Sequence, residues 1–218
     1  MVWLLLVYSS TFLGYQIIPF IRTNNLNVLP RFFTGWLIGS LLTGIIFYIT
    51  TILLSLSFFH SLLIAILEIA AALALYQKKK GYQSLYSVDA NPWFIFLFIF
   101  TAGYSLSYLS RIYKKLPQKI PHLMIYDDEM SFITSVLYGC NRKRSNPFFF
   151  ANPRITNHKY SGYSIPLLFV SGLMSLGASY SDASIVICFI NTMAVCYSMY
   201  FLAKKYIKWP VIATFLYL

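Results

Sequence analysis

The stretch "FFTGWLIGSLLTGIIFYITTILLSL", residues 32–56, runs for 25 residues without one Asp, Glu, Lys, Arg or His. A helix needs about 20 mostly apolar residues to cross the hydrocarbon of a bilayer. Inside that hydrocarbon every backbone N–H and C=O must find its partner within the protein, and a helix pairs them all internally. The stretch therefore reads as a membrane span. Its Gly35 and Gly39 have the GxxxG spacing that lets a second helix backbone come close, which speaks of packing rather than chemistry.

Composition extends this reading to the whole chain. Of 218 residues, 58% are hydrophobic and 11% charged, against about 25% charged in a soluble domain. The formal net charge is +11. In a soluble protein this excess would point to nucleic acid. In so apolar a chain it points to loops at lipid headgroups or to anionic lipid substrates. No nucleic-acid module is legible, and no nucleic-acid partner is expected. Cys140, Cys188 and Cys196 are scattered without metal-ligand spacing. The last two lie in an apolar run, where Cys serves as a small apolar filler.

On either side of the opening stretch the pattern repeats. Residues 2–21 form a first span, retained because it lacks a basic start and a small-x-small cleavage site. Phe58, Phe59 and His60 are expected to form a tight turn, and 61–76 a third helix closed by Lys78, Lys79 and Lys80. Glu68 lies inside that helix. A charge at bilayer depth costs several kcal/mol, so this carboxyl should be protonated, paired or facing a cavity. Residues 93–109 form a fourth helix. Residues 164–178 are apolar but short, as for an amphipathic helix at the interface. Residues 183–203 are a full span closed by Lys204, Lys205 and Lys208. The run from 209 to 218 starts a further helix too short to cross, as in the front part of a larger membrane protein.

The expected fold is an all-α, polytopic transmembrane helix bundle with a long outer loop containing interfacial helices. Its parts are four N-terminal helices (1–109), the outer loop (110–182) and a span followed by the start of another (183–218). The positive-inside rule puts the short basic clusters in the cytoplasm. The loop then falls on the lumenal or periplasmic side of a multi-pass protein of the endoplasmic reticulum or bacterial plasma membrane. Arg111, Lys114, Lys115 and Lys119 run against the rule, although long loops obey it poorly.

Residues 110–163 of that loop carry nine of the seventeen basic residues and half of the six acidic ones. The acids are consecutive, Asp127, Asp128 and Glu129, in "YDDEMSFITSVLYG". One reading is a helix start, with carboxylates in the first turn and Phe132, Ile133 and Val136 as the apolar face. The functional reading uses the same geometry. A carboxylate fixed above the bilayer acts as a general base toward an acceptor. Asp127 and Asp128 together are candidate oxygen ligands for Mg²⁺ or Mn²⁺. Arg142, Lys143, Arg144, Arg154 and Lys159 are candidates to neutralise a donor phosphate, with plain headgroup contact as the alternative. His122 and His158 are candidates to join a metal site, and Asp182 to be a second carboxylate or the cap of the next helix. No HExxH, Gly-x-Ser-x-Gly or P-loop appears.

The order of parts is a helix leaving the membrane, an Asp-Glu pair followed by an apolar helix, then "NPFFFANPRITNHKYSGYSIPLLFVSGLMSLG" and "DASIVICFINTMAVCYSMYFLAKKY". It resembles the N-terminal part of the GT-C fold integral membrane glycosyltransferases, such as the protein mannosyltransferase and aminoarabinose transferase group. The resemblance covers residues 93–218. It implies a hexosyl- or pentosyltransferase with a sugar donor on a polyprenyl phosphate and an acceptor on the outer face. It matches Asp128 or Asp127 to the catalytic loop acid and Glu129 to the second letter of the pair. Four hydrophobic segments precede the loop here, where that group often has one. The competing expectation is a non-enzymatic transporter, flippase or assembly subunit, with Glu68 and the GxxxG helix as its support.

Overall fold

The computed structural model describes residues 1–21, 28–54, 56–78, 92–119 and 164–217. The regular structure among the described residues is all helical: α1 (Leu4–Ile21), α2 (Val28–Leu53), α3 (Phe58–Lys78), α4 (Pro92–Lys119), α5 (Ser164–Ser175), α6 (Tyr180–Tyr206) and α7 (Pro210–Tyr217). Four of them are long and apolar enough to cross a membrane, over Arg31–Thr51, Phe58–Lys78, Pro92–Arg111 and Tyr180–Tyr206. The chain is thus an all-α membrane bundle.

Two boundaries differ from expectation for a local reason. Phe58, Phe59 and His60 are the first turn of α3, not a tight turn. Ser57 Oγ accepts the His60 N–H at 3.3 Å and Ser57 O accepts the Ser61 N–H at 3.0 Å, so the helix starts one turn earlier. The fourth helix also runs ten residues past Leu109, to Lys119.

Glycine sets how α1 meets α2. A Cβ on Gly14 would collide with the Gly35 carbonyl, and one on Gly39 with the Ser10 carbonyl. The GxxxG expectation therefore holds, and Gly14 is its partner on α1. The Ser10–Gly39 and Gly14–Gly35 levels make the two helices antiparallel. α3 is antiparallel to α2 as well, since His60 Nε2 meets Thr50 Oγ1 at 2.9 Å and Glu68 meets Thr43 further down. α4 and α6 are antiparallel. Phe94 stacks on Tyr200 with ring centroids 3.7 Å apart, and Thr101 bonds Cys196. Phe33 against Tyr197, then Trp36 against Asn191, set α2 antiparallel to α6.

These directions sort the helix ends into two faces. One holds the end of α1, the start of α2, the end of α3, the start of α4 and the end of α6. Arg31, Lys78, Lys204, Lys205 and Lys208 belong to that end. The other holds the start of α1, the α2–α3 turn, the end of α4 and the start of α6.

The short helix α5 is more deeply packed than an amphipathic helix lying on a surface. Every residue from Leu168 to Leu173 is buried. A Cβ on Gly44 would meet Ile165 at 2.6 Å and one on Gly172 would meet the Phe47 ring at 2.5 Å, so α5 lies tightly on α2. Ser175 Oγ bonds Ser61 Oγ at 2.6 Å at the α2–α3 turn. Ile165 is level with Gly44, nine residues or about 14 Å of helix rise short of that turn. The helix therefore runs from mid-depth back to the face it shares with the α4 end.

Its exit is written locally. Gly177, with φ of 95°, takes the left-handed conformation that ends a helix at least strain. Ala178 N–H returns to Leu173 O at 3.1 Å and Gly177 N–H to Met174 O at 3.0 Å, the bonds of a Schellman motif. Ser179 then caps α6, accepting the Asp182 N–H at 3.0 Å and donating to the Asp182 carboxylate at 2.7 Å. Asp182 is thus the third residue of the helix, and the cap itself is Ser179.

One core gathers Leu6, Trp36, Phe47, Ile64, Leu168 and Leu173 from α1, α2, α3 and α5. A second gathers Phe33, Phe94, Met193, Tyr197 and Tyr200 from α2, α4 and α6. Cys196 is fully buried in the second, as an apolar filler should be. The long α6 serves both cores.

Candidate functional site

The polar centre of the described bundle is Glu68. Its residue lies ten positions from either end of α3, about 15 Å of helix rise each way, so it sits at the middle of the span. The neighbours Ser61, Ile64, Ala65 and Ala72 are buried with it. That spacing marks one face of a helix, which is packed against α1, α2 and α5. Glu68 itself is 2% exposed.

Both carboxyl oxygens are occupied. Ser9 Oγ on α1 donates to Oε2 at 2.6 Å, and Thr43 Oγ1 on α2 donates to Oε1 at 2.5 Å. Ser9 and Thr43 are both fully buried. Each hydroxyl has a single proton and a second acceptor in its own helix, Leu6 O at 3.1 Å for Ser9 and Gly39 O at 2.8 Å for Thr43. The shorter contact goes to the carboxyl in both cases. Three helices are thereby tied at one point in the low-dielectric interior. The small residues on the side toward the basic face make this reach possible, because Gly14, Gly35 and Gly39 bring the α1 and α2 backbones together.

A second interhelical bond lies nearby. Trp36 Nε1 on α2 donates to Asn191 Oδ1 on α6 at 2.8 Å, and its ring stands edge-on to Phe169 of α5. Toward the basic face, the Arg31 guanidinium lies over the Tyr15 ring at 3.9 Å and its Nε donates to Tyr15 O at 3.0 Å. This buries an arginine at a helix end with a polar acceptor and a ring face.

The sequence-derived loop residues lie outside the described residues. These are the acids Asp127, Asp128 and Glu129, the cations Arg142, Lys143, Arg144, Arg154 and Lys159, and His122 and His158. The carboxylates expected to hold Mg²⁺ or Mn²⁺ are among them. Within the described residues no group of three or more His, Cys, Asp or Glu is placed to hold a metal ion.

Sequence reading singled out Glu68 but neither Ser9 nor Thr43. A signal was present: "YSST" at residues 8–11 concentrates hydroxyls in an apolar run, and Thr43 lies one turn from Gly39. A hydroxyl beside small residues in a span is where a buried acid of a third helix finds partners.

No family model matches the chain, and neither a curated protein nor a solved structure matches it. Its function is therefore argued from its own residues.

Proposed function

We propose that the protein is a membrane glycosyltransferase. It transfers a sugar from a polyprenyl-phosphate-linked donor to an acceptor on the extracytoplasmic face, with Asp128 or Asp127 as the essential carboxylate. The observation that supports this reading is the direction of the helices. The end of α4 and the start of α6 lie on one face, opposite Arg31, Lys78, Lys204, Lys205 and Lys208. By the positive-inside rule that basic face is cytoplasmic. The segment between α4 and α5, with its acidic triplet and its cations, then leaves from the outer face, where lipid-linked sugars would be used. Carboxylates and cations in one segment suit abstraction of an acceptor proton and neutralisation of a departing lipid phosphate.

The transporter reading drew its support from Glu68. With Ser9 and Thr43 on its two oxygens, that carboxyl already has a structural occupation, and the enzyme reading is preferred.

The test is sugar transfer in proteoliposomes supplied with polyprenyl-phosphate sugars. Asp128→Asn is expected to abolish transfer while the protein stays monodisperse and helical, and Glu68→Gln to retain it. Full transfer by a well-folded Asp128→Asn, Asp127→Asn double variant would overturn the reading. So would a pH-dependent ion flux that Glu68→Gln alone removes.

A further inference from the structure

α4 carries a ladder of aromatic rings that neither core uses. Phe96, Phe100, Tyr104 and Tyr108 repeat every four residues. Their rings stack pairwise at 6.5, 6.4 and 6.0 Å, with planes 20°, 13° and 9° apart. All four are more than half exposed. The ladder covers about 18 Å of helix rise, a little more than the roughly 15 Å of hydrocarbon in one leaflet. Its Phe100, Tyr104 and Tyr108 form one wall of a groove of about 430 Å³ whose other lining includes Thr101, Ser105, Thr192 of α6 and Phe215 of α7.

The charge at one end of this groove selects its occupant. Arg111 closes the apolar part of α4, three residues past Tyr108. It is exposed, and among the described residues it has no ion-pair partner. The helix continues beyond it through Lys114, Lys115 and Lys119. Arg111 lies at the face opposite the other basic helix ends, against the positive-inside tendency. An apolar slot with a ring-faced wall and a cationic mouth complements a lipid whose headgroup is anionic and whose chain lies along the rings.

We propose that the groove between α4, α6 and α7 seats one anionic phospholipid from the surrounding bilayer, its phosphate at Arg111 and an acyl chain along Phe100, Tyr104 and Tyr108. The seat is independent of the glycosyltransferase reading and concerns a resident lipid rather than a sugar donor.

Native mass spectrometry of the purified protein in mixed micelles tests this, with phosphatidylglycerol, phosphatidylcholine and a polyprenyl phosphate supplied in equal amounts. One phosphatidylglycerol is expected to stay bound in preference to phosphatidylcholine. Arg111→Gln should lower that preference about fivefold, the effect of one basic residue near an anionic headgroup. Arg111→Lys should restore it, and Tyr104→Ala should weaken retention of both phospholipids. Circular dichroism and size exclusion confirm that each variant is folded. Equal retention of the two phospholipids would mean ordinary boundary lipid and overturn the proposal. So would an unchanged preference in folded Arg111→Gln, retention of the polyprenyl phosphate alone, or a second copy of the chain excluding lipid from the groove.

Discussion

Ser9 and Glu68 stand 59 positions apart in the chain, and the Ser9 hydroxyl donates to the Glu68 carboxyl at 2.6 Å. Thr43 donates to the other oxygen from a third helix. The unit is asymmetric. Each hydroxyl keeps a backbone acceptor in its own helix, whereas the carboxyl has no substitute for either hydroxyl among the described residues.

Replacing the acid should therefore be milder than removing its donors. Glu68→Gln and Glu68→Leu are expected to destabilise by about 1 kcal/mol, since interhelical bonds in membranes average about 0.6 kcal/mol each. Ser9→Ala with Thr43→Ala strands the buried carboxyl and is expected to cost about 3 kcal/mol. Unfolding in mixed micelles measures both. A double variant no less stable than Glu68→Leu would contradict the asymmetry.

The two hydroxyls share one partner, so their effects should not add. A cycle over Ser9→Ala and Glu68→Gln is expected to show a coupling of about 0.5–3 kcal/mol, as residues in one network do. Thr214→Ala, in α7 and outside that network, combined with Glu68→Gln should add without coupling.

Close helix approach makes Gly39 sensitive. Gly39→Val sets a branched side chain against the Ser10 carbonyl and should destabilise by at least about 3 kcal/mol, at the upper end of overpacking costs. Gly103 in α4 has open space around it. Gly103→Ala should be neutral or stabilise by up to about 1 kcal/mol through helix propensity. Thermal stability of the two variants side by side decides the point.

The α5–α6 turn depends on its caps. Ser179→Ala removes the acceptor of the Asp182 N–H and should cost about 1 kcal/mol. Ser179→Thr, which keeps both the acceptor and the proton given to the Asp182 carboxylate, should recover most of it. Faster amide exchange confined to the first turn of α6 would mark the loss, and exchange spread over α5 and α6 alike would not.

The spans of α2, α3, α4 and α6, the packing role of Gly35 and Gly39 and the apolar setting of Cys196 were legible in the sequence, whereas residues 2–21, expected as a further span, hold a shorter apolar helix. So was the need for Glu68 to be neutralised or paired. The start of α3 departs from the expected turn because Ser57 caps the helix ahead of the aromatic pair Phe58 and Phe59. The burial of α5 was not legible, since twelve apolar residues look alike at a membrane interface and within a bundle.

The division has a physical cause. Helix formation in hydrocarbon is decided by each segment alone, because an apolar run of about 20 residues can satisfy its backbone only by bonding within itself. The caps at Gly177 and Ser179 are equally local. So the sequence by itself determined that this is a helical membrane protein and, within a turn or two, where most of its helices lie. Which hydroxyls meet Glu68, that Trp36 finds Asn191, and that α5 returns from mid-depth along Gly44 and Phe47 depend on angular position and side-chain fit between segments up to 155 residues apart. Those relationships exist only once the helices are packed, and the tertiary structure alone decided them.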